Sequence, residues 1–351
     1  MILFLFCTVS LFPQQNQEEI LTTVINPPGS AETIKLTGTE SYFPMIVLGE
    51  VRRVSTLESF YVWESVVNGG KIDVAPEIND EERIRIIRNI ASKNPNSVLF
   101  LGDMVNYGSK EHNWQYFDEI LRPLVIKKIS LYSILGEHEY WGRNSQAKKY
   151  IVNRFPFLSN STWYSKTSDS ICLIFLNSNK DELSSDEWGS QVLWFEKTIT
   201  RCDEDPEIRG VIVFMHHTPF TNSTKGESEH VKSAFLPRFI AAKKTMLLVS
   251  GGAATYERFD KYGKTFIVTG GGGAPRDELY WDKNSIKDEY RRQLPVDGNR
   301  YRPFNFVEIS PDSSGLNIKV TGLNKGNVNF FIMEEFNITF PLPIDKQAAL
   351  E

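Results

Sequence analysis

Residues 97–108 read SVLFLGDMVNYG, and residues 129–142 read ISLYSILGEHEYWG. In each, a short apolar run (Val98 to Leu101, Ile129 to Leu135) stops at a glycine followed by an acid, Gly102-Asp103 and Gly136-Glu137. Short apolar runs bounded by turn residues read as buried strands. Glu111 to Leu121 between them reads as a helix, so the stretch predicts a βαβ unit with a parallel strand pair. Open parallel sheets put their chemistry in loops beyond the carboxyl ends of the strands. Asp103, Glu137, His138 and Glu139 are therefore the first candidate site residues.

Working outward, Phe43 to Leu48 predicts a strand ending at Gly49-Glu50. Glu77 to Lys93 predicts an amphipathic helix, with Ile84, Ile86, Ile87 and Ile90 at near-helical spacing. Further helices are expected near Gln146 to Asn153, at Ser190 to Arg201 and at His230 to Lys244. Paired strands are expected at Thr162 to Ser165 and Ser170 to Leu176, and buried strands at Gly210 to Met215 and Thr245 to Ser250. Beyond Thr255 the pattern becomes a meander: Thr265 to Thr269, Phe304 to Ile309, Leu316 to Thr321 and Val328 to Phe336. With no linker or repeat between Phe43 and Phe340, residues 41–345 are expected to form a single domain.

Of 351 residues, 41% are hydrophobic and 24% charged, which is the balance of a soluble globular chain. A net charge of −5 without a basic run argues against nucleic acid and against an anionic membrane surface. Three scattered cysteines exclude a zinc ribbon and a disulfide scaffold, and leave open a Cys172–Cys202 bridge in an exported protein. Ile2 to Phe12 is almost wholly apolar, too short to span a bilayer but of the length of a signal-peptide core. Export is the expectation: residues 1–15 as the export segment, 16–40 as a linker or arm, and no transmembrane span. Asn160, Asn222 and Asn337 each begin an N-glycosylation pattern.

The strand ends give an ordered set: Glu50, Asp103, Glu137-His138-Glu139, His216-His217, then Gly251-Gly252. Carboxylates and imidazoles gathered at one sheet edge can hold divalent metal, and ion pairs ~3.5–4 Å apart serve displacement at phosphorus. The set resembles the calcineurin-like metallophosphoesterases, nearest to their purple-acid-phosphatase-like branch. That family's motifs are Asp-x-His, Gly-Asp-x-x, Gly-Asn-His-Asp/Glu, a strand ending in His, and Gly-His-x-His. Here they correspond to Glu50-Val51-Arg52, Gly102-Asp103-Met104-Val105, Gly136-Glu137-His138-Glu139, Met215-His216 and Gly251-Gly252-Ala253-Ala254. SQVLWFEKTI, TYERF and IVTGGGGAP resemble flanking segments of the family, so the likeness runs from about Phe43 to Thr321.

The resemblance implies an α/β four-layer αββα sandwich of two mixed sheets, hydrolysis of a phosphoester or a phosphorylated small molecule, and a two-metal centre. The first metal's positions are Glu50, Arg52, Asp103 and Ala254; the second's are Asp103, Glu137, His216 and Gly252. Arginine does not give up its proton to become a ligand, and alanine and glycine carry no ligand atom. The expectation is at most one divalent ion (Mn, Zn or Fe) on Asp103, Glu137 and His216 with Glu50 beside them, and not a two-metal centre. Crowded acids need a cation, so the Arg52 guanidinium is expected to pair bidentately with Glu50 or Asp103. By resemblance His138 protonates a leaving group or holds a phosphate oxygen, Glu139 orients it, and His217 is a lesser substrate contact. Two functional readings follow: a phosphoric ester hydrolase with a reduced metal site, or a pseudo-phosphatase whose cleft binds. The sequence points to no protein partner.

Overall fold

In the computed structural model, three short parallel strands carry the opening half of the chain: β1 (Met45–Leu48), β2 (Ser97–Leu101) and β3 (Ser130–Ile134). The residues described are 41–54, 77–280 and 301–341, and the expected export segment and arm lie outside them. The helices between these strands are α1 (Asp80–Lys93) and α2 (Glu111–Ile126), so the βαβ reading holds. The second helix runs beyond Leu121 and through Pro123, because Leu124 is fully buried and anchors the last turn. After α3 (Asn144–Arg154) come β4 (Tyr164–Ser168), β5 (Ile171–Phe175), α4 (Ser185–Glu204) and β6 (Gly210–Met215). The first of these strands begins two residues later than the sequence suggests.

The expected helix over His230 to Lys244 is two, α5 (Glu229–Ala234) and α6 (Leu236–Ala241). Pro237 lacks the N–H that would continue the first of them. The chain then forms β7 (Thr245–Ser250), β8 (Tyr256–Lys261) and β9 (Lys264–Thr269), and closes with β10 (Phe304–Pro311), β11 (Gly315–Leu323) and β12 (Phe330–Thr339).

Two six-stranded mixed sheets result, ordered β12-β11-β10-β1-β2-β3 and β4-β5-β6-β7-β9-β8. Period-two alternation builds the layers. In β2, Val98 and Phe100 face Ile86, Ile87, Trp114 and Phe117 of the helices. Leu99 and Leu101 face the other way, onto Phe175, Ile212 and Phe214 of the second sheet. Val211, Val213 and Met215 of β6 turn outward onto Phe195, Ile199, Phe235 and Phe239 of the second helical layer. This is the αββα sandwich expected, with buried apolar layers on both faces of each sheet. Cys172 and Cys202 lie in that last layer as free buried thiols, so the bridge the sequence left open is not formed.

Among the described residues no helix is long and apolar enough to cross a membrane. Of the three glycosylation patterns, Asn222 is 2% exposed and its amide donates to Glu257, so no glycan has access to it.

Candidate functional site

The loops beyond β1, β2, β3, β6 and β7 meet at one rim, and backbone hydrogen bonds hold them there. Glu50 N–H donates to Gly102 O, Arg52 N–H to Asp103 O, and Gly251 and Gly252 N–H both to His216 O. Gly102 has φ +87°, and a Cβ on it would lie 2.4 Å from Gly136 N, so only glycine lets the second and third loops close. Glu50 and Asp103 are themselves left-handed, at φ 56° and 52°. Non-glycine residues adopt that conformation only where their surroundings over-determine it, and such positions cluster at functional sites.

These loops bring the Glu50, Asp103 and Glu137 carboxyls together with His138, His216 and His217. Asp103 is wholly buried; His138 Nε2 lies 3.7 Å from its Oδ2 and His216 Nε2 3.6 Å from its Oδ1. The His216 Nδ1 is 2.8 Å from the Leu101 carbonyl oxygen, which can only accept, so Nδ1 carries the proton and Nε2 turns a lone pair into the cluster. His138 is fixed the same way: its Nδ1 donates to Asn106 O at 2.8 Å, and its ring lies against Trp141, tilted by 34° with the centroids 3.7 Å apart. His217 Nδ1 meets Ser178 Oγ at 2.9 Å, and its Nε2 stands 4.0 Å from Glu137.

Glu139 does not do what the sequence suggested. Its carboxylate accepts from the backbone N–H groups of Asp103, Met104, Val105 and Gly136 (2.7–3.3 Å) instead of orienting the His138 ring. It ties the second loop to the third. A glutamate beside a histidine reads as a dyad in one dimension, but the turn at His138–Tyr140 points the two side chains apart in role.

Arg52 enters the cluster as expected, with a different geometry. Its Nε is 3.2 Å from Glu50 Oε2 and 3.6 Å from Asp103 Oδ2, spanning two carboxyls rather than forking onto one. A second guanidinium supports it from outside: buried Arg83 donates to the carbonyls of Arg52 (2.9 Å) and Gly273 (2.7 Å). The sequence reading missed Lys225, whose Nζ lies 3.1 Å from Glu137 Oε1 and 3.9 Å from Glu50 Oε1. A lysine in a polar loop ten residues past a strand end carries no sequence signal that separates it from a solvated surface lysine.

Burial and then Asp103 push the Glu50 carboxyl well above its ordinary range. Burial works to raise Asp103 too, but His216, His138, Lys225 and Arg52 together hold it below the carboxylate range. Burial also raises Glu137, and Lys225 brings it back below its ordinary value. Burial lowers all three imidazoles, His138 to about 4 and His217 to about 3, so they are neutral at pH 7. Burial and then Asp103 raise Glu139 above its ordinary value, and the backbone N–H groups it accepts from oppose that shift.

Among the described residues, three buried atoms of the cluster have no hydrogen-bond partner: Glu50 Oε1, Asp103 Oδ2 and His216 Nε2. Glu50, Asp103 and His216 can bring ligand atoms within 4.8 Å of one another, as can Asp103, Glu137 and His138. Each set includes Asp103, and carboxylate and imidazole atoms so placed are of the kind that hold a divalent ion. Arg52 stands beside Glu50 and Asp103, Lys225 stands beside Glu137, and Gly252 and Ala254 contribute no side-chain ligand. Nor is the last loop a simple deletion of ligands, for a Cβ at Gly252 would lie 2.8 Å from His216 O. Beside the cluster opens a cleft of about 460 Å³ lined by Glu137, Trp141, Lys180, His217 and Lys225.

Similarity to known proteins agrees with this fold. Solved structures that resemble the chain include a purple acid phosphatase from yellow lupin (Lupinus luteus) seeds, at TM-score 0.56 and 15% identity over 84% of this chain. They also include GAP50, the anchor in the inner membrane complex of Plasmodium, at 0.58 and 13% over 87% of this chain and 92% of that one. A dimetal phosphatase from Danio rerio matches at 0.53 and 12% over 86% of this chain and 99% of that one. The chain spans only about half, 53%, of the lupin protein. No curated protein matches it. The sequence profile described as calcineurin-like phosphoesterase matches residues 76–253, half of the chain, and takes in the Asp103, Glu137 and His216 loops: the protein belongs to the calcineurin-like phosphoesterase family.

Proposed function

We propose that this member of a metal-dependent phosphoesterase family has lost two-ion catalysis and uses the retained cleft to bind. The observation that carries the reading is the Arg52 guanidinium between Glu50 and Asp103, with glycine and alanine at 252 and 254. Two-ion hydrolysis needs a metal on each side of a bridging carboxylate. Here one side of Asp103 faces a fixed organic cation that cannot polarise a phosphoryl oxygen as an ion does. His138, neutral at pH 7 with Nδ1 committed to Asn106, is also a weak proton donor for a leaving oxygen. The fold neighbours include two phosphatases and one protein described as an anchor, so the fold does not choose and the site must.

A second reading, hydrolysis with a single ion, is favoured by one observation: the three unpartnered acceptors Glu50 Oε1, Asp103 Oδ2 and His216 Nε2. Those residues would hold the ion, which would supply Lewis-acid polarisation and a metal-bound nucleophile. His138 and His217 would then contact the phosphoester in the cleft. Turnover of an aryl phosphate from pH 5 to pH 9 with Mn, Zn or Fe decides between them. The binding reading expects no metal-dependent rate above that of Asp103→Ala. A metal-stimulated rate abolished in both Asp103→Ala and His138→Ala would establish the hydrolase.

A further inference from the structure

We propose that Lys225 is a tethered counter-ion standing where the remaining divalent ion of the family centre would bind, so that this chain's own Arg52 and Lys225 replace both metals. The inference rests on the reading that two-ion catalysis is lost, and it names the second cation.

Arg52 and Lys225 approach from different sides. The guanidinium reaches Glu50 and Asp103 from the loop after β1, at 3.2 and 3.6 Å. The ammonium arrives from the loop between β6 and α5 and meets Glu137 and Glu50 at 3.1 and 3.9 Å, closing the cluster on its cleft side. Every carboxylate of the cluster thus has a cation of the chain within 4 Å, and Glu50 has two. A divalent ion on Asp103, Glu137 or Glu50 would have to displace the ammonium or sit against it, and the two cations would repel there, partly screened by water because the Lys225 and Glu137 side chains are 29% and 37% exposed.

Lys225 is positioned by architecture rather than by chance. The root of its loop is tied down: buried Glu257 accepts from Thr221 Oγ1 and from the backbone and side-chain nitrogens of Asn222. Ser223 bridges to Leu279, and Thr224 N–H donates to Glu278 O. Lys225 N–H then donates to Ser223 Oγ at 3.1 Å. Directly after it, Gly226 has φ +86° and open space around its Cβ position, which turns the chain away and leaves the lysine aimed inward. The groups that face the ammonium are Glu50, Asp103, Glu137, Arg52, His138, His216 and His217.

The test is metal uptake by the full chain purified without chelator, using elemental analysis and Mn²⁺ titration followed by electron paramagnetic resonance. The wild type is expected to carry no stoichiometric divalent ion. Lys225→Met, which keeps length and removes charge, is expected to tighten Mn²⁺ binding by about tenfold or more. Binding should saturate at one ion and disappear again in Lys225→Met with Asp103→Asn. Lys232→Met, a lysine paired to Glu227 and Glu229 on the neighbouring helix, should leave uptake unchanged. A wild type that binds one ion tightly, or a folded Lys225→Met no better than wild type, overturns the inference. Should Lys225→Met fail to fold, the wild-type measurement and Lys225→Arg, expected to remain ion-free, still decide it. Aryl phosphate turnover is scored separately: an ion in the wild type without turnover removes the tethered counter-ion and leaves the binding reading standing.

Discussion

Glu139 and Glu50 are both buried to within 1% of full burial, both follow a strand end, and they are satisfied in opposite ways. Glu139 takes backbone N–H groups from Gly136, Asp103, Met104 and Val105 onto its two oxygens. Among the described residues Glu50 takes one side-chain hydrogen bond, from Arg52 Nε to Oε2, and its Oε1 has none. Amide donors belong to the fold and cannot leave, so a carboxylate they saturate is scaffold. A carboxylate balanced by side-chain cations with an acceptor to spare is arranged for charge that can be exchanged. By that criterion Glu139 is structural and Glu50 is a working group, the reverse of what a His-Glu pair suggests on paper.

The largest test removes the scaffold carboxylate. Glu139→Ala strands buried amides in two loops, and a buried donor without a partner costs about 1–3 kcal/mol. Some of them will find water, so a loss of about 4 kcal/mol in urea unfolding is expected, well above that of any other single change in the cluster. A loss under about 1 kcal/mol would break the comparison, because it would mean the loops do not depend on Glu139.

The next effect is one of pH. His138 is held to about 4 in the folded chain by burial, against an ordinary 6.5. The unfolded chain takes up its proton first, so stability is fully present above pH 6.5 and is lost as pH falls through 4, by about 3 kcal/mol in all. His138→Gln keeps a donor for Asn106 and does not titrate. Unfolding free energy measured from pH 7 to pH 4 should therefore fall less steeply in that variant than in wild type. Equal slopes would mean that the imidazole is solvated or paired in a way its 5% exposure does not suggest.

Why the scaffold half was legible and the charge half was not follows from what each leaves in the sequence. The strands β6 and β7 are continuous apolar runs ended by glycine or a polar pair, and their bounds match the reading residue for residue. The strand β8 escaped because YERFDK looks like surface. It is a strand through its antiparallel pairing with β9, from Tyr256 opposite Thr269 to Lys261 opposite Lys264, and Arg258 adds contacts to Glu334 and Phe336 of β12 across 76 or more residues. The five site loops were legible because strand ends mark them. Lys225 was not, since its role depends on Glu257 and Leu279 fixing the loop root, and neither is near it in sequence.

Arg52→Met tests the working half directly. Removing one partner leaves Glu50 and Asp103 facing each other with Lys225 as the remaining fixed cation near them, and breaking a buried pair costs about 3–5 kcal/mol. Lys225 and partial protonation of Glu50 soften this, so about 2–3 kcal/mol at pH 7 is expected. The loss should shrink toward acid pH, because Glu50, already raised, is the carboxyl that protonates first. A loss that grows on acidification would mean that Arg52 stabilises the protein through packing alone.

The smallest effect is the most informative. Glu50→Gln keeps the shape of the side chain, keeps an oxygen for Arg52 Nε, and removes one of the crowded charges. Replacing a buried charge by a neutral group of equal volume is often neutral or stabilising, so a change within about 1 kcal/mol is expected, in either direction. Combined with Arg52→Met it should recover most of what that substitution loses, a coupling of about 1–2 kcal/mol in a double-mutant cycle. Glu139→Gln at the same nominal conservatism turns an NH₂ toward backbone N–H groups and should cost several times more than Glu50→Gln, because amides cannot trade places as cations can. If the two glutamine substitutions cost the same, buried carboxylates at this rim are all scaffold, and the distinction between loop-holding and charge-holding acids does not exist in this protein.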